Sequence, residues 1–314
     1  MKSKTGEKRV LSRKFKRDIF AFWVLLLPVL QFCIFYIYIN FNSIIMAFSK
    51  YELNLEGMGY ISTFAGFDNF SVAWNTLTSQ TQFLTNSLIL YGCTTLLGLT
   101  LALVFSYYLS KGYLGSGFFR CILFLPQVVS SISLVLLYRY IVDKGYISFM
   151  EMLGREDVQG LLINVDTQFV TLLFYSLFFG FGVNVLLFTG AMSGINESVI
   201  ESARLEGVSD IQEFIYITIP MIWPTFITFF VVGVAQVFTN QMNLVSFYGV
   251  AAEPRVTTIG YFLYSETLQA ELTGGIKRLS LPQLSAMGLI LTFIIAPLTL
   301  IIKKMLEKFG PSTE

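Results

Sequence analysis

The 314-residue sequence contains no histidine, and only 13% of its residues are charged. Without histidine, His-based catalytic triads, His metal sites and His proton relays are excluded. A soluble domain carries about 25% charged residues, so the low charge argues against a soluble protein. The cysteines are few, Cys33, Cys93 and Cys121, and none forms a CxxC pair. We expect buried thiols rather than disulfides or metal ligands.

Apolar residues are abundant instead, at 54% of the chain with a mean hydropathy of +0.67. They recur in stretches long enough for a helix to cross a hydrocarbon layer of about 30 Å. The composition predicts an all-α polytopic membrane protein rather than the alternative, a soluble α-protein with an unusually apolar core. Six transmembrane helices are predicted, at about residues 19–39, 83–109, 119–142, 169–192, 219–238 and 284–302.

The placement of Lys and Arg predicts the orientation of these spans. Residues 1–18 form a basic segment with eight Lys and Arg among the first 17 residues, so the N-terminus is expected to be cytoplasmic. Six crossings return the C-terminus, with Lys303, Lys304 and Lys308, to the same side. A cleaved signal peptide is the alternative, but the first apolar run is long and lacks an A-x-A site. Residues 19–314 are thus the transmembrane domain.

The loops follow from this orientation. Residues 40–82, 143–168 and 239–283 are predicted to lie outside, and residues 110–118 and 193–218 inside. The first outer loop, with "FAGFDNF" near its end, is long enough to be ordered and to contact a partner. The alternative for this loop is a solvated connector.

One inner segment is acidic and helix-forming: "ESARLEGVSDIQEFIYITIP", residues 201–220. Asn196 is predicted to cap a first helix and Gly207 to end it in the left-handed conformation. Ser209, with Gln212 three residues on, predicts a capping box for a second helix. Pro220 and Pro224 mark the point where a span starts or kinks.

This helix–turn–helix favours insertion into a groove of a partner protein. The alternative is an amphipathic connector resting on lipid headgroups, but anionic lipids repel acidic side chains. We call residues 193–220 the coupling segment.

The segment resembles the EAA loop of ABC importer permeases, whose pattern is roughly E-A-A-x-x-D-G-A, a spacer of about five residues, then F-x-x-I-x-L-P. The matching positions are Glu201, Ser202, Ala203, Glu206, Gly207, Phe214 and Pro220. Ser202, Glu206, Val208 and Ile219 replace the usual residues conservatively. The stretches "LLLPVLQF", "FLPQVVSSI" and "APLTLIIKKM" are similar to the carbohydrate-uptake subfamily, so the resemblance covers most of the chain.

The resemblance implies the architecture of a type I ABC importer permease in a bacterial cytoplasmic membrane. A second homologous permease subunit, an ABC ATPase dimer and an extracellular solute-binding protein would be its protein partners. The implied substrate is a carbohydrate, in the first instance an oligosaccharide. The coupling segment would sit in clefts of the ATPases. The resemblance implies that ATP and Mg bind there. This sequence has no G-x-x-x-x-G-K-[ST] phosphate loop, so energy is expected from another chain or from an ion gradient. We therefore expect a transport subunit without catalytic residues, metal, cofactor or nucleic-acid partner.

Other classes of membrane protein are less compatible with the sequence. An ion-gradient-driven secondary transporter of a small polar solute usually places ionisable residues within the membrane, whereas the central parts of the six predicted spans lack them. A channel needs a selectivity element and a membrane-embedded enzyme needs convergent titratable groups. Neither feature is apparent in the sequence.

A sugar path requires amides and aromatic rings rather than charges. Candidates within or near the fourth and fifth spans are Tyr175, Asn184, Gln236, Asn240, Gln241 and Asn243. Each amide could instead form an interhelical hydrogen bond, and the companion subunit could make most of the sugar contacts. The glycines within the spans, among them Gly180, Gly182 and Gly190, are expected to serve helix packing rather than ligand contact.

Overall fold

A computed structural model describes residues 4–54, 59–273 and 279–311. The first helix, α1 (Lys4–Phe32), continues through a π-helical segment (Cys33–Tyr38) into α2 (Ile39–Ala47). Its apolar part, Arg17–Ala47, is longer than the predicted span 19–39. No residue of its most apolar window is buried, whereas the end of α2 packs into the core, with Ala47 fully buried. In a membrane the surface of the exposed portion is therefore available to lipid or to another subunit.

The first predicted outer loop is ordered. A hairpin of β1 (Ser49–Asn54) and β2 (Gly59–Phe64) pairs antiparallel with Ser49 opposite Phe64, and α3 (Asp68–Ser79) follows. The buried Asn69 amide donates to the backbone oxygens of Ala47 at 2.9 Å and Ser49 at 2.8 Å. It thereby ties α3 to the end of α2. The hairpin is the one departure from the all-α prediction within the described residues.

Three further helical stretches are long and apolar enough to cross a membrane. They are Thr81–Ser110, which contains α4 (Thr81–Cys93), a π-helical turn (Thr94–Gly98) and α5 (Leu99–Ser110); α9 (Val165–Ser193); and α16 (Leu281–Phe309). Inside the bundle, the Ser106 hydroxyl donates to the Val185 backbone oxygen at 2.9 Å and joins α5 to α9. These stretches contain the predicted second, fourth and sixth spans.

The predicted third and fifth spans are bent. One consists of α6 (Ser116–Val128), α7 (Ser131–Arg139), a π-helical segment (Tyr140–Gly145) and α8 (Tyr146–Met152), with a 105° angle at Val129–Ser130. The other runs from α11 (Asp210–Glu213) through a π-helical segment (Phe214–Thr218) and α12 (Ile219–Met221) to α13 (Trp223–Ala235), with a 70° angle at Ile222. The described chain thus has four candidate spans, or six if each bent pair counts as one.

The bends have local causes. The β-branched residues Val128 and Val129 precede two serines, and both residue types favour non-helical backbone at this point. At Ile222 the helix ends between Pro220 and Pro224, each near the start of a helix, as the sequence predicted. The predicted kink before the fifth span is confirmed.

The remaining helices are α10 (Glu197–Leu205), α14 (Leu244–Tyr248) and α15 (Ile259–Thr273). The last two lie in the predicted outer loop 239–283. The Asn86 amide of α4 donates to the backbone oxygens of Arg255 at 2.8 Å and Thr257 at 2.9 Å, and so anchors this loop to the bundle.

Elements predicted to be cytoplasmic meet at one end of the bundle. The turn after α5 contacts the coupling segment, and Trp223 Nε1 donates to the Leu306 backbone oxygen of α16 at 3.2 Å. The expectation of buried thiols is wrong for Cys33 and Cys121, which are exposed, whereas Cys93 is partly buried. A thiol on a membrane-facing helix surface is as compatible with lipid as with a protein core.

Candidate functional site

The coupling segment begins with the cap that the sequence predicted. The Asn196 side-chain oxygen accepts a hydrogen bond from the Ser198 backbone N–H at 3.1 Å and so opens α10. Glu197 lies in the first turn, where the helix dipole favours a negative charge. This short helix therefore has a defined start even though most of it is exposed to solvent.

Gly207 ends α10, also as predicted, with φ +80°. Its N–H donates to the Arg204 oxygen at 3.0 Å, and the Val208 N–H donates to the Ala203 oxygen at 3.2 Å. These two bonds define a Schellman motif, which reverses the chain and satisfies the last carbonyls of the helix. Ser209 then forms the predicted capping box with Gln212 and opens α11.

The side chains of α10 divide between two environments. Ala203 is buried at 7% exposure, whereas its neighbours Glu201, Ser202 and Glu206 are exposed. Leu205, at 90% exposure, stands among the carboxylates. The exposed surface therefore carries the carboxylates and Arg204 around Leu205, with Val199 less exposed, and Ala203 faces the chain itself.

The second half of the segment is fixed to the turn after α5. The Lys111 ammonium contacts both carboxylate oxygens of Glu213, with 2.6 Å from Nζ to Oε2, and both side chains are nearly inaccessible to solvent. Tyr113 donates to Asp210 Oδ2 at 2.5 Å, and Tyr107 donates to the Asp210 backbone oxygen at 2.9 Å. The hydrogen bond to Asp210, with a contribution from burial, raises the pKa of Tyr113 to about 12.

Phe214 and Pro220 lie behind this contact. The Phe214 ring packs against Tyr107 with 4.8 Å between ring centroids, and Pro220 stands in α12 just before the 70° bend. The sequence predicted both positions but missed Tyr107, Lys111 and Tyr113. Their signal was a tyrosine near the end of the predicted second span, followed by a cation and a tyrosine in a short inner loop, on the same side as an acidic one.

Two of the predicted path residues share a cavity. Gln236 and Asn240 line a space of about 50 Å³ between α4 and the end of α13. The opposite wall is formed by Ser87, Tyr91, Thr94 and Thr95, which the sequence analysis missed. These four fall on one helical face, because they are spaced by four, seven and eight residues from Ser87. A polar stripe at that spacing inside an apolar run was the available signal.

This cavity is small for a solute. Ligand pockets usually measure about 300–1,000 Å³, while a water molecule occupies about 30 Å³. In the present conformation the space therefore accommodates water and no sugar ring. Asn240 is also engaged locally, because its side-chain oxygen accepts from the Met242 N–H at 2.9 Å.

The other four predicted path residues lie elsewhere. Tyr175 is 2% exposed and packs against Tyr138, Phe179 and Phe247, with centroid distances of 4.6 to 5.0 Å. In this conformation its side chain is not accessible to a solute. Asn184 and Gln241 are half-buried and Asn243 is exposed, and none of the three lines the cavity with Gln236.

Comparison with known proteins identifies the family. Residues 94–313 match the model of "Binding-protein-dependent transport system inner membrane component". The multiple sugar-binding transport system permease protein MsmF of Streptococcus mutans is 20% identical over 95% of this chain and 98% of its own length. A probable ABC transporter permease protein of Bacillus subtilis, YurN, is 28% identical over 63% of this chain and 68% of its own. The sn-glycerol-3-phosphate permease protein UgpA of Shigella dysenteriae is 24% identical over 79% and 82%.

Solved structures share the fold. A bacterial ABC transporter involved in the import of the acidic polysaccharide alginate superposes with a TM-score of 0.70 at 20% identity, covering 95% of this chain and 99% of that one. An alginate transporter in complex with a periplasmic protein bound to an alginate pentasaccharide gives 0.67 at 19% identity, covering 94% of each chain.

Proposed function

The chain belongs to the family of binding-protein-dependent transport system inner membrane components. From this we propose that it takes part in carbohydrate import driven by an ATPase. In this proposal it is one permease subunit of an ABC importer. It forms part of the translocation path in a bacterial cytoplasmic membrane and pairs with a second, homologous permease subunit. An extracellular binding protein delivers the substrate.

The geometry of the coupling segment is the observation that carries this proposal. A short acidic helix projects Glu201, Ser202, Leu205 and Glu206 outward, and its far end is held rigidly by a Schellman turn and a capping box. Exposed carboxylates around Leu205, with Arg204 as the one cation of α10, suit a socket with an apolar centre and a mainly basic rim. A loop that only connected two spans would not need its turn fixed by these hydrogen bonds.

In this proposal the energy source lies on another chain. The sequence lacks a phosphate-binding loop of the G-x-x-x-x-G-K-[ST] type, so ATP and Mg are proposed to bind to a partner ATPase dimer. ATP-driven closure of that dimer would displace α10, and the displacement would change the access of the path from one side of the membrane to the other. Glu201, Glu206 and Gly207 are the proposed centre of this contact.

The proposed substrate is an uncharged carbohydrate, an oligosaccharide in the first instance. The cavity residues Ser87, Tyr91, Thr94, Gln236 and Asn240 offer hydroxyls, amides and one aromatic ring, and no charged residue lines that cavity. Such groups match sugar hydroxyls and C–H faces, whereas an anionic solute would lack a cation to pair with. The cavity must widen for a sugar to pass, as alternating access requires.

A reconstitution experiment tests the proposal. The tagged chain is purified with its co-expressed neighbours, and uptake into proteoliposomes is measured with raffinose, maltotriose, an alginate oligosaccharide and glycerol 3-phosphate as probes. We expect co-purification of an ATPase and a second permease, and uptake of a neutral probe that requires ATP and survives an ionophore. A lone oligomer whose uptake collapses with the ionophore would contradict the function, and uptake restricted to the anionic probes would contradict the substrate class.

A further inference from the structure

A cluster of side chains joins the coupling segment to α5. Tyr107, Lys111 and Tyr113, on or just after α5, contact Asp210 and Glu213 of α11. Within residues 4–54, 59–273 and 279–311, every side-chain hydrogen bond and ion pair from residues 196–213 to the rest of the chain ends on these three side chains. We call these five residues the α5–α11 clamp.

The ion pair is the least accessible part of the clamp. The Lys111 side chain is 11% exposed and that of Glu213 is 2% exposed. A buried ion pair is poor evidence for a contribution to stability, because desolvating both charges offsets their attraction. An apolar pair of similar volume would often be as stable. What the charges add is a fixed geometry between two elements, since either charge left alone in this environment is strongly disfavoured.

The position of the clamp shows what that geometry can transmit. By the covalent chain alone, a displacement of α10 passes back through residues 194–196 into α9, and forward through Gly207 and α11 into α13, across the 70° bend at Ile222. The clamp adds a direct route from α11 into α5. Without it, α5 is reached from α9, through the Ser106 hydroxyl bonded to Val185 and through the core shared by Leu99, Ala102 and Phe188.

We propose that Lys111 and Glu213 are positioning residues that make α5 move as one body with the coupling segment. This inference rests on the proposed function, because it concerns how the displacement caused by the ATPase is distributed. With the clamp intact, a displacement at α10 moves α5 and α13 together. Without it, the displacement still reaches α13 and α9, but α5 follows the coupling segment less closely, so more ATP is hydrolysed for each opening of the path.

Three variants separate this role from a merely structural one. K111L/E213L removes both charges and keeps apolar packing, so the fold does not have to accommodate an unpaired buried charge. K111E/E213K exchanges the charges and keeps the pair. K303L/E307L, on α16, is the matched control, because it removes an exposed ion pair of 3.7 Å between the same residue types outside the clamp.

The experiment uses the complete transporter in nanodiscs with amide hydrogen exchange as the readout, with and without ATP, Mg and vanadate. In the wild type and in K303L/E307L, we expect nucleotide to change exchange at both 197–213 and 99–110. In K111L/E213L, the change at 197–213 persists, while that at 99–110 falls at least about fivefold, in the usual range of coupling between sites. K111E/E213K should restore most of the nucleotide-dependent change at 99–110.

The outcomes distinguish the inference from its premise. If nucleotide changes no exchange at 197–213 in the wild type, the coupling function itself fails. If the wild type responds and K111L/E213L still transmits the change to 99–110, the clamp inference fails and the function stands. If the nucleotide-dependent change in exchange at 99–110 is no larger in K111E/E213K than in K111L/E213L, the role of the charge pair is likewise overturned.

Discussion

Gly182 of α9 lies directly against the backbone carbonyl oxygen of Leu123 in α6: a Cβ added at position 182 would stand 2.5 Å from that oxygen. The contact is reinforced one turn earlier, where Gln127 Nε2 donates to the Phe179 backbone oxygen at 3.1 Å. The first arm of the bent third span is therefore held against α9 by backbone proximity. This contact bears out the packing role expected for Gly182.

Gly182→Ala should separate these two helices and destabilise the subunit by about 1–3 kcal/mol, the range typical of overpacking. A backbone oxygen cannot rotate away as a side chain can. Gly180→Ala is the matched control, because no described atom outside the adjacent backbone of its own helix lies within 4 Å of its added Cβ. It should be neutral or stabilising by about 0.5–1 kcal/mol, since Ala favours a helix over Gly. Denaturant titration in mixed micelles measures both, and equal effects would contradict the contact.

Gly207→Val should disrupt the turn of the coupling segment. The residue has φ +80° with free space around it, so the penalty is backbone strain of about 1–2 kcal/mol or more for a β-branched residue. We expect ATP hydrolysis to become uncoupled from uptake while the protein remains in the membrane. Gly207→Asn should be milder, because Asn tolerates this conformation.

The matched control is Gly154→Val. Gly154 has φ +77° and equally open surroundings, but it lies in a different loop. The measurement is the ratio of probe taken up to ATP hydrolysed in proteoliposomes. Normal uptake in Gly207→Val, or an equal loss in Gly154→Val, would count against a special role of the turn.

Neighbouring residues of α10 should respond differently to the same substitution. Ala203 is buried against the chain, so Ala203→Trp should lower the thermal midpoint of the isolated subunit. Ser202 is exposed and only bonds to the Ser198 oxygen at 2.8 Å, so Ser202→Trp should leave that midpoint unchanged. Because Ser202 lies on the proposed docking surface, Ser202→Trp should reduce co-purification of the ATPase. If the ATPase co-purifies with Ser202→Trp in undiminished yield, Ser202 does not lie on the docking surface.

The coupling segment was predictable because its signals are local. Asn196, Gly207 and the Ser209–Gln212 pair each act over two or three residues, so the sequence order alone exposes them. Apolar length likewise predicted where the candidate membrane spans of the described residues lie. Both kinds of signal depend on short-range geometry rather than on tertiary structure.

Contacts between distant parts of the chain were not predictable in this way. Lys111 and Glu213 are 102 residues apart, and nothing in either loop alone indicates that they pair. Tyr175 was a reasonable path residue by type, but burial among three aromatic rings is a tertiary property. The 105° bend at Val129–Ser130 leaves the apolar pattern intact, so the span appeared continuous.

Tyr113 should ionise well above the ordinary range of a phenol. Its hydrogen bond to Asp210 raises the pKa to about 12 from 10.0. Because the folded value exceeds the unfolded one, the stabilising contribution is complete below pH 10 and is lost as pH rises through 12. Phenolate absorbance of the wild type minus that of Tyr113→Phe measures this group. Asp210→Asn should move the transition down, and a Tyr113 that ionises at about 10 in the wild type would contradict the bond.

Gln236 should affect solute affinity rather than coupling. Its amide lines the polar cavity opposite Tyr91 and Thr94, so Gln236→Leu removes a hydrogen-bonding group from the proposed path and replaces it with an apolar one of similar size. A site that bonds a substrate hydroxyl loses about 1–3 kcal/mol when one partner is removed, which corresponds to roughly five- to 150-fold in the concentration for half-maximal uptake. The ATP hydrolysed per probe molecule at saturation should stay constant, because the coupling segment is untouched.

Gln241→Leu is the matched control, since Gln241 lies five residues away and outside the cavity. If Gln241→Leu weakens uptake as much as Gln236→Leu, the cavity is not the path; if both leave half-maximal uptake unchanged, the sugar contacts belong to the companion subunit.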